Sequence, residues 1–293
     1  MLETLLTTFL LTLAASSLVW AGTILFWRVS VVDAVWGLGF IGLSLFVVMS
    51  RGIALSRPEH WILTGLVSAW GIRLSVHLAL RYRRERGEDR RYEAMRLKRG
   101  VSFRWQSLFL VFWLQAIVMW LISLPLQFAL SNGAAAGPAP FSDGTATGIQ
   151  VAGVMLWMAG FVFESVADWQ LMKFRGRDTS GAGVLNSGLW KFTRHPNYFG
   201  EFLLWWGIFL FSAGIGAPAW TIVSPLLLTV LLLKFSGVGL LEKGIEQHRP
   251  EYREYIRTTS SFIPWFPTKP SGCRVDRGNS QDRQVPATAE RGT

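Results

Sequence analysis

Residues 188–201 read GLWKFTRHPNYFGE and place several polar side chains between two strongly apolar segments of the chain. Pro196 favours the first turn of a helix, because its ring fixes φ and it has no N–H group to leave unpaired. The stretch therefore predicts a helix that begins at Pro196 and continues into the apolar residues beyond it. The N–H groups of that first turn, with Arg194 and Lys191 beside them, indicate a seat for a phosphate or carboxylate. A basic interfacial loop that only fixes topology is the simpler alternative.

The composition is that of a membrane protein, since 51% of the 293 residues are hydrophobic and only 16% are charged. Seven stretches approach or exceed the roughly 20 residues that a helix needs to cross the hydrocarbon core. They are residues 3–27, 31–50, 60–80, 105–130, 148–170, 198–216 and 218–241. The sequence predicts an all-α polytopic bundle of about seven transmembrane helices in one domain, residues 1–267. Residues 268–293 lack apolar periodicity, and we expect a disordered polar tail there.

Basic residues in the loops predict the orientation of this bundle. Residues 81–104 hold ten Lys and Arg against four acidic residues, and 173–194 add five more basic residues. The connection at 131–147 has no Lys or Arg, and only Arg51 and Arg57 oppose the trend. We therefore expect a multi-pass protein of the bacterial inner membrane, with its N-terminus outside and its C-terminus in the cytosol.

The net charge of +10 is concentrated at the ends of the predicted spans, and no nucleic-acid motif accompanies it. Membrane lipids and anionic cofactors are therefore the expected partners, and nucleic acid is not. The single cysteine, Cys273, and four scattered histidines predict neither a disulfide framework nor a metal site. We expect the protein to be a monomer.

Polar side chains inside the predicted spans indicate a shared pocket, because an intramembrane charge is costly and normally faces a partner or a cavity. Asp33 begins the second span, and Arg73 and His77 share one face of the third at a spacing of four residues. The fifth and sixth spans carry similar stripes, formed by Glu164, Asp168 and Arg175 and by Asn197, Glu201 and Trp205. Hydrogen bonds between helices are the structural alternative for any one of these residues.

Four motifs, taken in order, resemble the steroid 5-alpha-reductase family. They are ADWQLMKFRGR at 167–177, GLW at 188–190, NYFGE at 197–201 and FLLWW at 202–206. The chain more closely resembles bacterial multi-pass relatives of that family, over roughly residues 30–266. The resemblance implies seven helices around a pocket in which NADPH, entering from the cytosol, reduces the carbon–carbon double bond of an enone.

The resemblance also implies which residues bind the cofactor. Contacts are implied for Arg73, Arg84, Asp168, Arg175, Asn197, Tyr198, Glu201 and Trp205, to which the predicted helix start adds Arg194 and His195. Arg84 is the leading candidate for a phosphate contact, and the excess of arginines leads us to expect NADPH in preference to NADH. Because no GxGxxG follows a predicted strand, a Rossmann domain is excluded and the bundle itself has to bind the dinucleotide.

Reduction of an enone needs a proton donor at the carbonyl, whose oxygen gains negative charge. The resemblance places a carboxylic acid on the early helix, and Asp33 is our candidate, held protonated by an apolar pocket. The steroid enzymes of the family add a tyrosine from the next helix, where this chain has Trp70. An indole N–H donates a hydrogen bond but supplies no proton, so we expect Trp70 to shape the cavity. Sterol-like, prenyl and fatty enones all fit as lipophilic substrates.

Two other functions are compatible with the sequence. Isoprenylcysteine and phospholipid methyltransferases of membranes share an RHPxYxG turn, here RHPNYFG at 194–200, and a tail similar to LEKGIEQHRPEYREY at 241–255. That resemblance implies S-adenosylmethionine as cofactor, although this chain has Lys243 where those enzymes carry a glutamate. The second alternative is a non-catalytic membrane subunit or quinone-binding protein, in which the polar stripes only bridge helices.

Overall fold

The computed structural model describes residues 1–26, 28–50, 57–84, 87–131, 143–178, 183–236 and 250–268, and the regular structure in these ranges is all helical. The α-helices are α1 (Leu2–Phe26), α2 (Val31–Ser50), α3 (Pro58–Arg84), α4 (Arg90–Arg99), α5 (Phe103–Ser107), α6 (Leu114–Ile122), α7 (Leu124–Ser131), α8 (Asp143–Arg177), α9 (Pro196–Gly214), α10 (Val223–Val230) and α11 (Pro250–Thr258). Short π-helical turns precede α6 and follow α10. The predicted all-α architecture is confirmed. The predicted tail lies outside the described residues, apart from Thr268.

Five segments of the described chain are long and apolar enough to cross a membrane, which confirms a multi-pass architecture. They are Leu2–Ile24, Val31–Ser50, Pro58–Arg84, Arg90–Ile122 and Gly144–Arg177. Two of the seven predicted spans do not meet this criterion. For the one predicted at 218–241, the described part contains the apolar helix Ala219–Lys234, which is shorter than a span, and residues 237–241 lie outside the described residues. The other, α9, is long enough, but it carries Asn197 and Glu201 near its start, where polar side chains lower its hydropathy.

Glycines allow α8 and α9 to pack closely against each other. A Cβ atom on Gly160 would lie 2.5 Å from the carbonyl oxygen of Gly200, and one on Gly207 would lie 2.6 Å from that of Gly153. The two glycines of each helix are seven residues apart, so they recur every two turns on one contact face. Small residues let helix backbones approach closely in membrane bundles. This contact fixes Asp168 of α8 opposite the start of α9.

An aromatic cluster, made of Phe40, Trp70 and Trp205, joins α2, α3 and α9. The ring centroids of Phe40 and Trp205 are 4.8 Å apart, and the Trp70 ring lies 5.4 Å from Phe40 and 5.2 Å from Trp205. Each of the three residues is at most 1% exposed. Tilted and edge-to-face contacts of this kind stabilise a core beyond the effect of buried area. The cluster therefore gives the three helices a fixed relative position, one turn from Arg73 on α3 and from Glu201 on α9 and two turns from Asp33 on α2.

The C-terminal segment 250–268 is fastened to the loop that precedes α9. The Arg194 guanidinium donates hydrogen bonds to the carbonyl oxygens of Ile256 at 2.9 Å and Thr259 at 2.6 Å. The Tyr255 hydroxyl donates to the Trp190 carbonyl oxygen at 2.5 Å. Because a buried guanidinium needs acceptors, these bonds hold Arg194 as a clamp between the loop and the C-terminal segment.

Candidate functional site

A buried polar cluster forms where α3, α8 and α9 meet. Arg73 Nη1 lies 2.7 Å from Asp168 Oδ2, and the same guanidinium forms an ion pair with Glu164. The Asn197 side-chain amide donates to Asp168 Oδ1 at 3.2 Å, and His77 Nε2 lies 3.7 Å from Asp168 Oδ2. The four-residue spacing within α3 and within α8 places each pair on one helix face. The polar cluster therefore unites the stripes of three predicted spans.

The polar cluster holds more carboxylates than cations. Glu201, in the second turn of α9, also lies within electrostatic range of Arg73, as do Glu164 and Asp168. Buried charges are stable only when they are paired or hydrogen-bonded. Yet Glu164 keeps one solvent-inaccessible carboxylate oxygen, Oε2, that has no hydrogen-bond partner among the described residues. The site therefore offers a buried acceptor that fits an N–H or O–H group of a ligand.

Three arginines, on α3, α4 and α8, lie on the side of this cluster that is predicted to face the cytosol. Tyr198, at the start of α9, lies within electrostatic range of Arg81 and Arg91, and Arg175 of α8 lies within range of His77. We call Arg81, Arg91 and Arg175 the arginine rim. The side chains of Arg81 and Arg91 are 40% and 46% exposed, whereas that of Arg73 is 16% exposed. The site therefore runs from an exposed cationic rim to a buried floor rich in carboxylates.

Four further residues predicted to bind the cofactor occupy different positions. His195 stacks on Tyr198, with ring centroids 5.4 Å apart and planes at 5°, which places it beside the rim. Trp205 lies in the aromatic cluster, Arg84 is exposed at the end of α3, and Arg194 is held by the C-terminal segment. Cofactor contacts from these residues stay predictions.

The sequence reasoning missed Arg81 and Arg91. A signal for Arg81 exists, because the Arg73–His77 stripe of α3 reaches it after another four residues. Arg91 gives no comparable signal, since the contact of α4 with α2 decides where its side chain lies. Asp89 caps α4 by accepting the Arg91 backbone N–H at 2.9 Å, which fixes the start of that helix.

Asp33 belongs to a second polar cluster at the start of α2. Its carboxylate lies 3.0 Å from Arg91 Nη2 and accepts hydrogen bonds from the Tyr92 hydroxyl at 2.9 Å and Gln115 Nε2 at 3.1 Å. Gln115 also donates to the Tyr92 hydroxyl at 3.0 Å. One cation and two donors match a carboxylate rather than a carboxylic acid, and the Asp33 side chain is 25% exposed. The proton-donor role of Asp33 stays a prediction, and it requires Arg91 to move first.

Arg91 is shared between two carboxylates. Its Nη2 lies 3.0 Å from Asp33 and 3.3 Å from Asp89, and its Nε lies 3.0 Å from Asp89. Arg81 approaches Asp89 at 3.5 Å. Burial alone would raise the pKa of Asp89, but the hydrogen bonds and charge of Arg91, with the charge of Arg81, lower that pKa below its ordinary value. Asp33, Arg91, Asp89 and Arg81 thus form a row of alternating charges that runs from α2 to the end of α3. The row carries no net charge.

An apolar cavity of about 350 Å³ lies between α1, α2 and α6. Its wall consists mainly of apolar side chains such as Leu11 and Met119, and it includes Gln115, the amide that binds Asp33. Trp36 also lines the cavity, and its indole N–H has no hydrogen-bond partner among the described residues. A cavity of this size and character is typical of a small-molecule site.

The aromatic cluster separates this cavity from the polar cluster. Phe40 packs between Trp36 and Trp70, with ring centroids 5.1 Å and 5.4 Å away. Trp70 does not line this cavity but lies one ring further in, where it is fully buried, and its expected role in shaping the substrate cavity stays a prediction. The reason for its burial is the close approach of α2 and α3, since Gly37 and Gly71 face each other with no room for a Cβ atom.

The chain belongs to the family described as "Protein of unknown function (DUF1295)", whose model matches residues 19–259. An uncharacterized protein of Schizosaccharomyces pombe is similar to it, with 25% identity over 283 residues that cover 87% of this chain and 78% of that protein. No solved structure matches the chain. These similarities show the family, and they name no activity.

Proposed function

We propose that this member of the DUF1295 family is a membrane-embedded reductase that uses NADPH to reduce the carbon–carbon double bond of a lipophilic enone. The observation that carries the proposal is the buried polar cluster around Arg73 and Asp168, with the arginine rim above it. The resemblance of residues 163–206 to the steroid 5-alpha-reductase family supports the same function.

The polar cluster and the rim fit the two chemically different ends of NADPH. The carboxamide of nicotinamide carries N–H donors, which match the oxygen of Glu164 that has no partner among the described residues. The phosphates are anionic, and planar guanidinium groups such as those of Arg81 and Arg175 bind them through paired hydrogen bonds. When it is bound, NADPH supplies the hydride. A site built this way orients the dinucleotide with its nicotinamide towards the interior of the bundle.

The apolar cavity supports a lipophilic substrate. Its apolar walls cannot compensate a charged molecule for the loss of its hydration. A hydrocarbon skeleton has no such cost and can pack between α1, α2 and α6. The indole N–H of Trp36, which finds no acceptor in the described part of the chain, fits a carbonyl oxygen. A hydrogen-bond donor at that point stabilises the negative charge that develops on the carbonyl during reduction.

The aromatic cluster has to shift for the reaction, because reacting atoms must come within about 3–3.5 Å of each other. The indole N–H groups of Trp70 and Trp205 have no hydrogen-bond partners among the described residues. Rings held only by packing rotate more readily than rings fixed by hydrogen bonds. We therefore infer that Trp70, Trp205 or both move when cofactor and substrate are bound together.

The second candidate is a membrane methyltransferase that uses S-adenosylmethionine. The docking of α11 onto the loop before α9, through Tyr255 and Trp190, is the observation that favours it, since the motifs of that resemblance lie in these two segments. The stretch that contains Lys243 lies outside the described residues. S-adenosylmethionine offers the arginine rim one carboxylate and no phosphate, whereas NADPH offers several phosphate charges to its three arginines, and this favours the reductase.

A cofactor-binding screen on purified, detergent-solubilised protein tests the proposal. The protein is titrated separately with NADPH, NADH and S-adenosylmethionine, and calorimetry reports whether each titration saturates. We expect saturable binding of NADPH and weaker binding of NADH. Binding of S-adenosylmethionine alone would support the methyltransferase, and no saturable binding at all would support a non-catalytic subunit.

A further inference from the structure

We propose that Arg91 is a shared cation that couples nucleotide binding to proton uptake by Asp33. The inference rests on the proposed function and adds an order of events to it. A phosphate group of the nucleotide draws the Arg91 guanidinium away from Asp33, and Asp33 then takes up a proton from solvent. The acid that reduction of an enone requires is thus formed only when the nucleotide is in place.

Arg91 lies where it can serve both sites. Its Nη2 contacts Asp33 at 3.0 Å, and Asp33 accepts the amide of Gln115, which lines the apolar cavity. Its Nε contacts Asp89 at 3.0 Å, and Arg81 of the arginine rim lies 3.5 Å from the same carboxylate. The Arg91 side chain is 46% exposed, so an anion from the cytosolic side can reach it. Arginine binds phosphate through two parallel N–H groups, and those groups are the ones that now face Asp33 and Asp89.

The balance of charge among Asp33, Arg91, Asp89 and Arg81 explains why binding of a phosphate leads to uptake of a proton. Arg81 and Arg91 neutralise Asp33 and Asp89, so the group of four carries no net charge. A bound phosphate adds at least one negative charge to it. In a partly buried setting an uncompensated charge is costly, and proton uptake by a carboxylate removes it.

Asp33, rather than Asp89, is the carboxylate that loses its partner. Asp89 keeps Arg81 and the backbone N–H of Arg91 when the Arg91 side chain turns away. Asp33 keeps only two uncharged donors, the Tyr92 hydroxyl and the Gln115 amide. The tyrosine hydroxyl can rotate and accept a hydrogen bond from a protonated Asp33, since a hydroxyl group both donates and accepts.

Two other charged groups near the start of α2, Arg28 and Glu88, are engaged elsewhere. The Arg28 guanidinium donates to the Gly87 carbonyl oxygen at 2.6 Å and lies 3.9 Å from the centre of the Tyr82 ring. Glu88 accepts the backbone N–H groups of Val29 and Ser30 at 2.8 Å and 3.0 Å and pairs with Arg96 at 3.0 Å. Its charge is therefore compensated by its own contacts. Among the described residues, Arg91 is the cation that contacts Asp33.

Reduction of the enone consumes one hydride and one proton. The hydride from NADPH adds to the conjugated carbon, and the Asp33 proton passes to the carbonyl oxygen, which leaves an enol that rearranges to the saturated ketone. NADPH becomes NADP⁺, and Asp33 becomes a carboxylate that can pair again with Arg91. The exposed part of Asp33 gives solvent access for the next proton.

Calorimetry of NADP⁺ binding at pH 7, in two buffers that differ in ionisation enthalpy, measures the protons taken up. Because the 2′-phosphate itself titrates near pH 6, the decisive quantity is the difference between the wild type and Asp33→Asn. We expect the wild type to take up about one proton more per nucleotide than this variant. Glu93→Gln, which removes an exposed carboxylate from the same helix α4, is the matched control and should behave as the wild type does.

Equal proton uptake by the wild type and Asp33→Asn would overturn the inference and leave the proposed function intact. If Asp33→Asn fails to fold, the wild type is titrated both with NADH, which has the diphosphate bridge alone, and with adenosine 2′,5′-bisphosphate, which has the 2′-phosphate; absence of proton uptake with both, beyond the ionisation of the 2′-phosphate itself, then overturns the inference equally. If neither nucleotide binds, both the inference and the proposed function fail. Adenosine 2′,5′-bisphosphate should reproduce the uptake, because the inference assigns it to the phosphates rather than to nicotinamide.

Discussion

Arg73 on α3 lies 2.7 Å from Asp168 on α8, and Asn197 on α9 binds the other oxygen of the same carboxylate. One side chain thus connects the three helices that form the polar cluster. Such a connection can serve as a helix bridge or as the floor of a binding site. The surplus of carboxylates around Arg73, with a Glu164 oxygen that has no partner within the described ranges, favours the binding site, because a bridge alone needs no unmatched acceptor.

Substitutions at Asp168 and Arg175 separate these two roles. We expect Asp168→Ala and Arg175→Ala each to weaken NADPH binding by about 10-fold or more, since hydrogen bonds to charged groups contribute about 1.5–3 kcal/mol. Calorimetry measures the affinity, and a melting curve in detergent measures stability. If either variant binds NADPH normally but melts at a much lower temperature, that residue bridges helices and does not hold the cofactor.

Arg84 provides a test of nucleotide preference. Its side chain is exposed at the end of α3, so it can contact only an outlying group such as the 2′-phosphate. We expect Arg84→Ala to reduce the affinity for NADPH by up to about 10-fold while that for NADH stays unchanged. Equal affinities of the wild type for NADPH and NADH would contradict this prediction, because the protein then has no preference that Arg84 could provide.

The close contact of α8 with α9 predicts a strong effect of a small substitution. A Cβ atom at Gly160 would lie 2.5 Å from the Gly200 carbonyl oxygen, whereas one at Gly148, on the same helix, would meet nothing within 4 Å. We expect Gly160→Ala to destabilise the protein by about 1–3 kcal/mol, the usual cost of overpacking, and to melt several degrees lower. Gly148→Ala is the control, and equal melting temperatures for the two variants would contradict the packing described.

The lowered pKa of Asp89 predicts that the stability of the protein depends on pH. Its pKa is lowered in the folded protein, chiefly by Arg91 against the effect of burial, so its charge stabilises the fold above its ordinary pKa of 3.8 and that contribution disappears as pH falls below it. Asp89→Asn lacks the contribution at every pH. We therefore expect the gap between the melting temperatures of the wild type and this variant to narrow from pH 6 towards pH 3. A gap that stays constant would show that the charge of Asp89 contributes no stability.

The sequence predicted the helices and the gathering of the polar cluster better than it predicted individual side-chain directions. The helix start at Pro196 is confirmed. The four-residue spacings correctly placed Arg73 with His77 on one face of α3 and Glu164 with Asp168 on one face of α8, because a helix face is fixed by its period. Arg194 could not be placed in this way, since its acceptors belong to a C-terminal segment more than 60 residues further along the chain.

Two further differences have the same physical origin, which is contact between segments distant in sequence. Trp70 is buried by Phe40 because two glycines let α2 and α3 approach closely. Arg91 reaches Asp33 because α4 packs against the start of α2, a contact 58 residues apart in sequence. Periodicity describes one helix at a time, so it gives no information about such contacts.

The transfer of deuterium from NADPH to an enone tests the central claim most directly. Purified protein in detergent is given NADPH that carries deuterium at the transferable position, together with a panel of lipophilic enones with steroid, prenyl and fatty skeletons, and mass spectrometry follows the products. The account predicts a saturated ketone that carries the deuterium, with loss of product formation in Asp168→Ala. Consumption of none of these enones by a protein that is folded and binds NADPH, or a product that contains no deuterium, would contradict it.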